Sequence, residues 1–381
     1  MESNKVVMLD TVVLQIPPNK YKITDHNRFK PPAWGLLDPR SFRQFFNNRT
    51  AEEKRKGIYR PRLTINKRGR YAPMNVEFSA PKIIFNENVS ELVESNFTDE
   101  IYELWDDVRQ MGVLIPREYL AEASVIAFHP SRNVLLTDGY TSSFALKELS
   151  KIDLDYRFDL DIKNYRNGGH VLQYYSNLHS LLFYDKVRDD RLPEKRAIDK
   201  DKTSYQMKLF ESLPRDTYLE ILKIEVRLKK RKIAQLLPTL GYSVNPSFRD
   251  IFNSNLCQKI LQHYWRGMVV DRNALLMSLH SNPQRILQKI IKSDRKIKPK
   301  QAIYLTALKM LCKDVGVREL RSTLSFIGSG KTWERIHSDI KLLNTYESKL
   351  ELHGFINDIE RALESTEPFK LSTTNVNKSK V

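Results

Sequence analysis

Residues 181–190 read LLFYDKVRDD, an apolar strand that runs out into a tyrosine, a lysine and three acids. Those residue types together suit phosphodiester cleavage. The hydroxyl of Tyr184 can attack phosphorus and hold the cut strand as a covalent ester. A divalent cation held by carboxylate or imidazole would polarise the phosphate under attack. Asp185 and Asp189 supply carboxylates, and Lys186 supplies a cation beside the tyrosine. A second tyrosine, Tyr205 in DKTSYQ, falls where a helix begins after this strand, so two hydroxyls compete for the nucleophile's role. The alternative for each is a packing tyrosine with a hydrogen-bonded hydroxyl.

Further donors lie on other predicted strands. His129, His170 and His179 all sit at strands or strand ends. In KIEVRLKKRK, alternation puts Glu225 and Arg227 on one face, with Ile224, Val226 and Leu228 on the other. A turn containing Lys67, Arg68 and Arg70, together with the run Lys229, Lys230, Arg231 and Lys232, would hold phosphates and set position on a nucleic acid. A solvated charged face gives the same runs. GSGKT at 328–332 lacks the first glycine of a phosphate-binding loop, since Ser325 stands in its place, and no strand precedes it. It reads better as a helix entry, with Trp333, Ile336, Ile340 and Leu343 as an apolar stripe. Paired with the helix in VGVRELRSTL, this is a candidate helix-turn-helix presenting Lys331, Arg335, His337 and Lys341 to DNA; an ordinary helical hairpin is the alternative.

The chain carries a formal charge of +17 over 381 residues, which attracts polyanions and makes nucleic acid the first partner to test. Cys257 and Cys312 are the only cysteines, so no disulfide framework or thiolate zinc site is expected, and a reducing cytoplasm fits. No apolar run is long enough to span a membrane, and the N-terminal VVMLDTVVLQI reads as a first strand rather than a signal peptide.

These side chains need a sheet to position them. After the first strand come a mixed stretch with a short helical piece near Phe42, a hairpin from IYRPRLTI and MNVEFSAPKII, an amphipathic helix within 89–108, and the strand ASVIAFH. A similar series follows: helix SSFALKELSKI, strands HVLQYY and SLLFYDK, a helix from about Thr203, and strand KIEVRL. The expected fold is α+β: two repeated strand-hairpin-helix-strand units, at 5–130 and 135–240, forming one antiparallel sheet with helices behind it and the other face open to a ligand. An all-helical region at 241–365 and a flexible tail at 366–381 complete the chain.

From MLDTVVLQIP, through RGRYAPMNVEFSAPKII and LLFYDKVRDD, to TSYQ and ILKIEVRLKKRKIAQLLPTLG, the chain resembles the gene II/gene X replication proteins of filamentous phages and related plasmid rolling-circle initiators. The likeness covers residues 5–240. It implies an HUH-endonuclease-like nickase that cuts one strand of a double-stranded origin, forms a 5′-phosphotyrosyl bond with Mg²⁺ or Mn²⁺, and later rejoins the displaced single strand. Tyr184 matches the family's strand-motif tyrosine and Asp189 the acid five residues on, whereas strand-then-helix topology in the wider superfamily favours Tyr205. The His-hydrophobic-His pair of that superfamily is missing. Ala127 stands where relatives often carry an acid, with His129 two residues on as its replacement. Asp185 and Glu225 complete the candidate metal ligands. DNA, a host helicase and a polymerase are the implied partners, in a bacterial cytoplasm. The alternative is a non-catalytic sequence-specific DNA-binding regulator or partition-type protein.

Overall fold

A computed structural model describes residues 5–31, 44–67, 71–152, 169–210, 219–267, 282–325, 330–346 and 353–371. Its centre is an eight-stranded antiparallel sheet of β1 (Leu9–Ile16), β2 (Gln44–Asn47), β3 (Arg62–Asn66), β4 (Met74–Ser79), β5 (Ser124–Leu135), β6 (Val171–Tyr175), β7 (His179–Asp185) and β8 (Ile221–Lys229), in the order β6-β7-β8-β5-β1-β4-β3-β2. The fold is therefore α+β with an antiparallel sheet, as the strand patterns require.

The strands follow the two-residue alternation, interrupted by register slips where β1 pairs with β5. Val12, Leu14, Val76, Phe78, Phe128, Phe183, Ile224 and Val226 enter one continuous core on one face. The opposite face takes the polar members. Helices α1 (Ala80–Phe85), α2 (Phe97–Gln110), α3 (Ser142–Ser150), α4 (Lys186–Arg191), α5 (Ser204–Lys208) and α6 (Lys230–Leu236) fill the connections. The second strand of the expected hairpin stops at Ser79, because Pro81 at the start of α1 has no N–H for the ladder and its fixed φ suits a first helical turn. The amphipathic helix begins only at Phe97, and Gln44–Asn47, next to the helix expected near Phe42, pairs with β3 as an edge strand. Phe42 itself lies outside the described residues.

The two units share their hairpin, helix and return strand. In the first, β1 lies between β4 and β5; in the second, β7 pairs directly with β8 and nothing occupies that place. The join between units is the β8–β5 pairing.

The helical region is α7 (Ser254–Trp265), α8 (Pro283–Ser293), α9 (Pro299–Val315), α10 (Val317–Leu324), α11 (Gly330–Thr345) and α12 (Gly354–Glu364). The change of character at Gly241 does not mark a break in packing: Phe248 meets Phe78 edge-on at 5.4 Å, and Leu256, Ile260, Phe355 and Ile359 join the sheet's own core. Residues 366–371, expected in the tail, are bound. Val6 N–H donates to Thr366 O, Phe369 N–H donates to Glu91 Oε2, and the Arg132 guanidinium donates to Ala362 O and Glu367 O. The remainder of the expected tail lies outside the described residues.

Gly316 joins α9 to α10 at φ 91°, ψ 153°, a region open essentially to glycine alone. A Cβ there would stand 2.9 Å from Lys151 Cα, and Val317 N–H donates to Lys151 O. Gly316→Ala is expected to cost about 1–3 kcal/mol, read as a lower thermal midpoint, from backbone strain plus that clash.

Candidate active site

On β8, Lys223, Glu225 and Arg227 share the polar face. Tyr184 of β7 is the cross-strand partner of Lys223, so it projects to the same side. On β1, the register against β5 slips between Leu9 and Val12. This bulge adds a residue and lets both Asp10 and Thr11 line the same space. The result is a cavity of about 300 Å³. Its floor is the sheet, and its wall is the segment Ala197–Asp201 with Lys82 and Asn88.

Tyr184 is 1% exposed, and its hydroxyl lies 3.5 Å from Glu225 Oε2. Burial, then the carboxylates of Glu225 and Asp10, push its pKa well above the ordinary phenol value, so it is protonated at neutral pH. Glu225 accepts from Arg227 Nε at 2.7 Å, and His129 Nδ1 lies 3.1 Å from its Oε1. Against the burial that would raise it, Arg227, His129 and Lys223 hold this carboxyl well below its usual range. Asp10 accepts from Ser79 Oγ at 2.7 Å and from Lys223 Nζ.

The wall is pinned by charge. Lys82 Nζ donates to both oxygens of Asp199, at 2.7 and 2.6 Å, and Arg62 pairs with Asp201 at 2.7 Å. Asp199 also accepts from Gln206 Nε2 at 2.8 Å; burial would raise its carboxyl, but Lys82 and Lys186 hold it well below the usual range.

Of the residues predicted to carry chemistry, the structure brings Tyr184, Glu225, His129 and Arg227 into this cavity. The acids and lysine that follow Tyr184 turn away. Asp185 caps α4 by accepting from Arg188 N–H, and burial raises its pKa to about 6. Lys186 is fully buried, donating to Asn88 Oδ1 at 2.6 Å and Asp190 Oδ1 at 2.8 Å. Asp189 accepts from the N–H groups of Ile198 and Asp199, so it orders the cavity wall from behind, with His170 Nε2 at 3.5 Å. Tyr205 is 55% exposed on α5 and does not line the cavity.

Among the cations, Lys67, Lys229, Lys230 and Arg231 are exposed and Lys232 is partly buried; Arg68 and Arg70 lie outside the described residues. Lys229 follows Arg227 by two residues, so it extends the cavity's own face toward the sheet edge. Lys331 and Arg335 are exposed on α11, whose Ile340 and Leu343 are buried.

Asp10, Lys223, Arg62, Lys82, Asp199 and Tyr59 were not singled out from the sequence. The signal for two of them was present: a single acid in VVMLDTVVLQI and a lysine inside ILKIEVRL, each within an otherwise apolar strand. The others depend on which loop closes over the sheet.

Glu225, His129 and Asp10 are the right kinds of donor for a hard divalent cation. In number they fall short: among the described residues, no three His, Cys, Asp or Glu side chains are gathered as a metal cluster. Each carboxylate faces a cation of the protein instead. No helix of the described residues is long and apolar enough to cross a membrane. Searches of protein-family models, curated proteins and solved structures find no match for this chain.

His179 stands apart from the cavity, with Nδ1 2.5 Å from the Tyr264 hydroxyl. Burial, aided by Lys232, lowers its pKa to about 4. Between pH 6.5 and 4 the unfolded chain binds a proton at this residue that the folded chain does not, so stability falls as pH falls through that window. Thermal midpoints measured across it should decline, and His179→Gln should flatten the decline.

Proposed function

We propose that this chain is a rolling-circle DNA replication initiator whose nucleophile is Tyr184. The observation that carries the reading is the meeting of a tyrosine hydroxyl, a carboxylate–histidine pair and several cations in one cavity on the polar face of an antiparallel sheet. Tyr184 Oη attacks the scissile phosphorus, the bond from phosphorus to the 3′ oxygen breaks, and the phosphate remains esterified to the tyrosine. The phenol proton leaves toward Glu225, whose Oε2 lies 3.5 Å away, and the departing 3′ oxygen takes a proton from solvent water. Rejoining reverses the step, with a 3′-hydroxyl of the displaced strand attacking the phosphotyrosyl bond. Arg227, Arg62 and Lys200 line the cavity as phosphate contacts, and Lys229, Lys230 and Arg231 continue the track outside it. The reading calls for Mg²⁺ or Mn²⁺ as cofactor, but Glu225, His129 and Asp10 supply only part of a ligand set, and the cations of the cavity are what face the phosphate.

The partners in this reading are a double-stranded origin, the nicked single strand, and a helicase and polymerase of a bacterial host. A second reading, a sequence-specific DNA-binding regulator without chemistry, draws on the depth and protonation of Tyr184. Incubating the protein with Mn²⁺ and a single-stranded oligonucleotide from a candidate origin, then mapping the adduct by peptide mass, separates the two. A phosphotyrosyl peptide containing Tyr184 is the expected result. Binding with no adduct and no cut strand on any candidate origin gives the second reading.

A further inference from the structure

We infer that α8 and the start of α9 form a second nucleic-acid contact, a docking surface for the phosphates of duplex DNA that is separate from the cavity. Arg285, Lys289 and Lys292 recur at intervals of four and three along α8, so they form one stripe, and all three are exposed. Arg295 and Lys296 follow in the turn, and Lys298 and Lys300 open α9; these four are exposed as well. Across residues 285–300 the only acid is Asp294. A solvated face of ordinary composition would mix both signs.

The placement also goes against helix electrostatics. The amino end of a helix carries partial positive charge and favours acids. Yet α9, a helix of 17 residues, has Lys298 at its cap, Lys300 in its first turn and no acid there. Helix α8 likewise has Arg285 in its first turn and no acid. Each helix start therefore adds its own positive potential to the side-chain charge at that point of the surface, and a bound polyanion relieves the repulsion there.

The partner's chemistry follows from what the surface lacks. Binding a lipid surface through an amphipathic helix needs an apolar face to insert. Here Ile286 and Ile290 are buried in the protein's core, and Ile291 is the only exposed aliphatic side chain of α8. Single strands are held by stacking on aromatic rings, and residues 283–298 contain none. A rigid row of cations without an apolar face or a stacking platform fits the dense, regular phosphates of a duplex. The inference extends the nickase reading by giving the intact duplex flanking the cut strand its own seat, and it rests on that reading only for its role.

The test compares the full-length wild type with the triple variant Arg285→Gln, Lys289→Gln, Lys292→Gln, titrated with a 30-bp duplex of arbitrary sequence over a range of KCl concentrations. Circular dichroism and thermal midpoints check that the fold is unchanged. Three lost phosphate contacts at a slope of ~0.9 each should lower the salt dependence of log K by about 3, and affinity at 150 mM salt by about 100-fold. Vesicles of phosphatidylserine and phosphatidylcholine serve as the second probe. An unchanged slope and affinity for the duplex overturns the inference, as does a loss confined to the vesicles. Cleavage of a single-stranded oligonucleotide is measured alongside and should be the same in both proteins. If neither protein cleaves while duplex binding still depends on the three cations, the nickase reading fails and the docking surface stands.

Discussion

Tyr184→Phe should abolish covalent adduct formation and strand cleavage, a loss of at least about 10³-fold, while leaving the fold intact. Removing a nucleophile leaves no route to the phosphotyrosyl ester, so the effect is on the chemical step and not on affinity. The fold should tolerate the change because the lost hydroxyl lies 3.5 Å from its partner, and Glu225 keeps Arg227 and His129. A shift in stability of under about 1 kcal/mol is expected. Tyr205→Phe is the matched control. That side chain is 55% exposed and does not line the cavity, so cleavage should be unchanged. Cleavage of a supercoiled origin plasmid by both variants at the wild-type rate would rule out both hydroxyls. Loss in Tyr205→Phe alone would move the nucleophile to α5.

The contrast between those tyrosines shows what a linear reading captures. Alternation along β8 places Glu225 and Arg227 on one face without any knowledge of neighbouring strands, because the side-chain period of a strand is fixed at two. Tyr184 enters the same cavity because β7 pairs with β8, and both strands announce themselves as apolar runs. Asp185, Lys186 and Asp189 escape this logic. The chain leaves strand geometry at Asp185 and winds into α4, so the period changes and these side chains turn behind the wall. There the two acids accept from backbone N–H groups and Lys186 donates to Asn88 and Asp190, which is the usual fate of buried polar residues. Spacing alone does not distinguish an acid that follows a tyrosine into a cavity from one that orders the loop beside it. The same limit applies to Asp10, whose direction depends on a register slip between β1 and β5, and to Asp199, whose position depends on Lys82 from a helix more than a hundred residues earlier.

The pairing of Lys223 with Asp10 is the other place where one substitution should have a large effect. Lys223 is 1% exposed in the middle of the sheet, and its ammonium group meets Asp10 Oδ2, with Asn88 O at 3.4 Å. Lys223→Met fills similar volume but leaves the Asp10 carboxylate, 4% exposed, with the Ser79 hydroxyl as its one remaining hydrogen-bond donor among the described residues. A buried charge stripped of its partner typically costs about 3–5 kcal/mol, a large share of the roughly 5–15 kcal/mol that holds a domain together. Urea or thermal unfolding should register this as an early transition. The double variant Asp10→Asn, Lys223→Met should recover much of the loss, because neutralising both partners removes the orphaned charge instead of the pair's attraction. Recovery would assign the pair to the desolvated floor beneath Tyr184. A single variant as stable as wild type would mean that water reaches Asp10, and that the cavity is a wet cleft in which Tyr184 is less shielded than its 1% exposure implies.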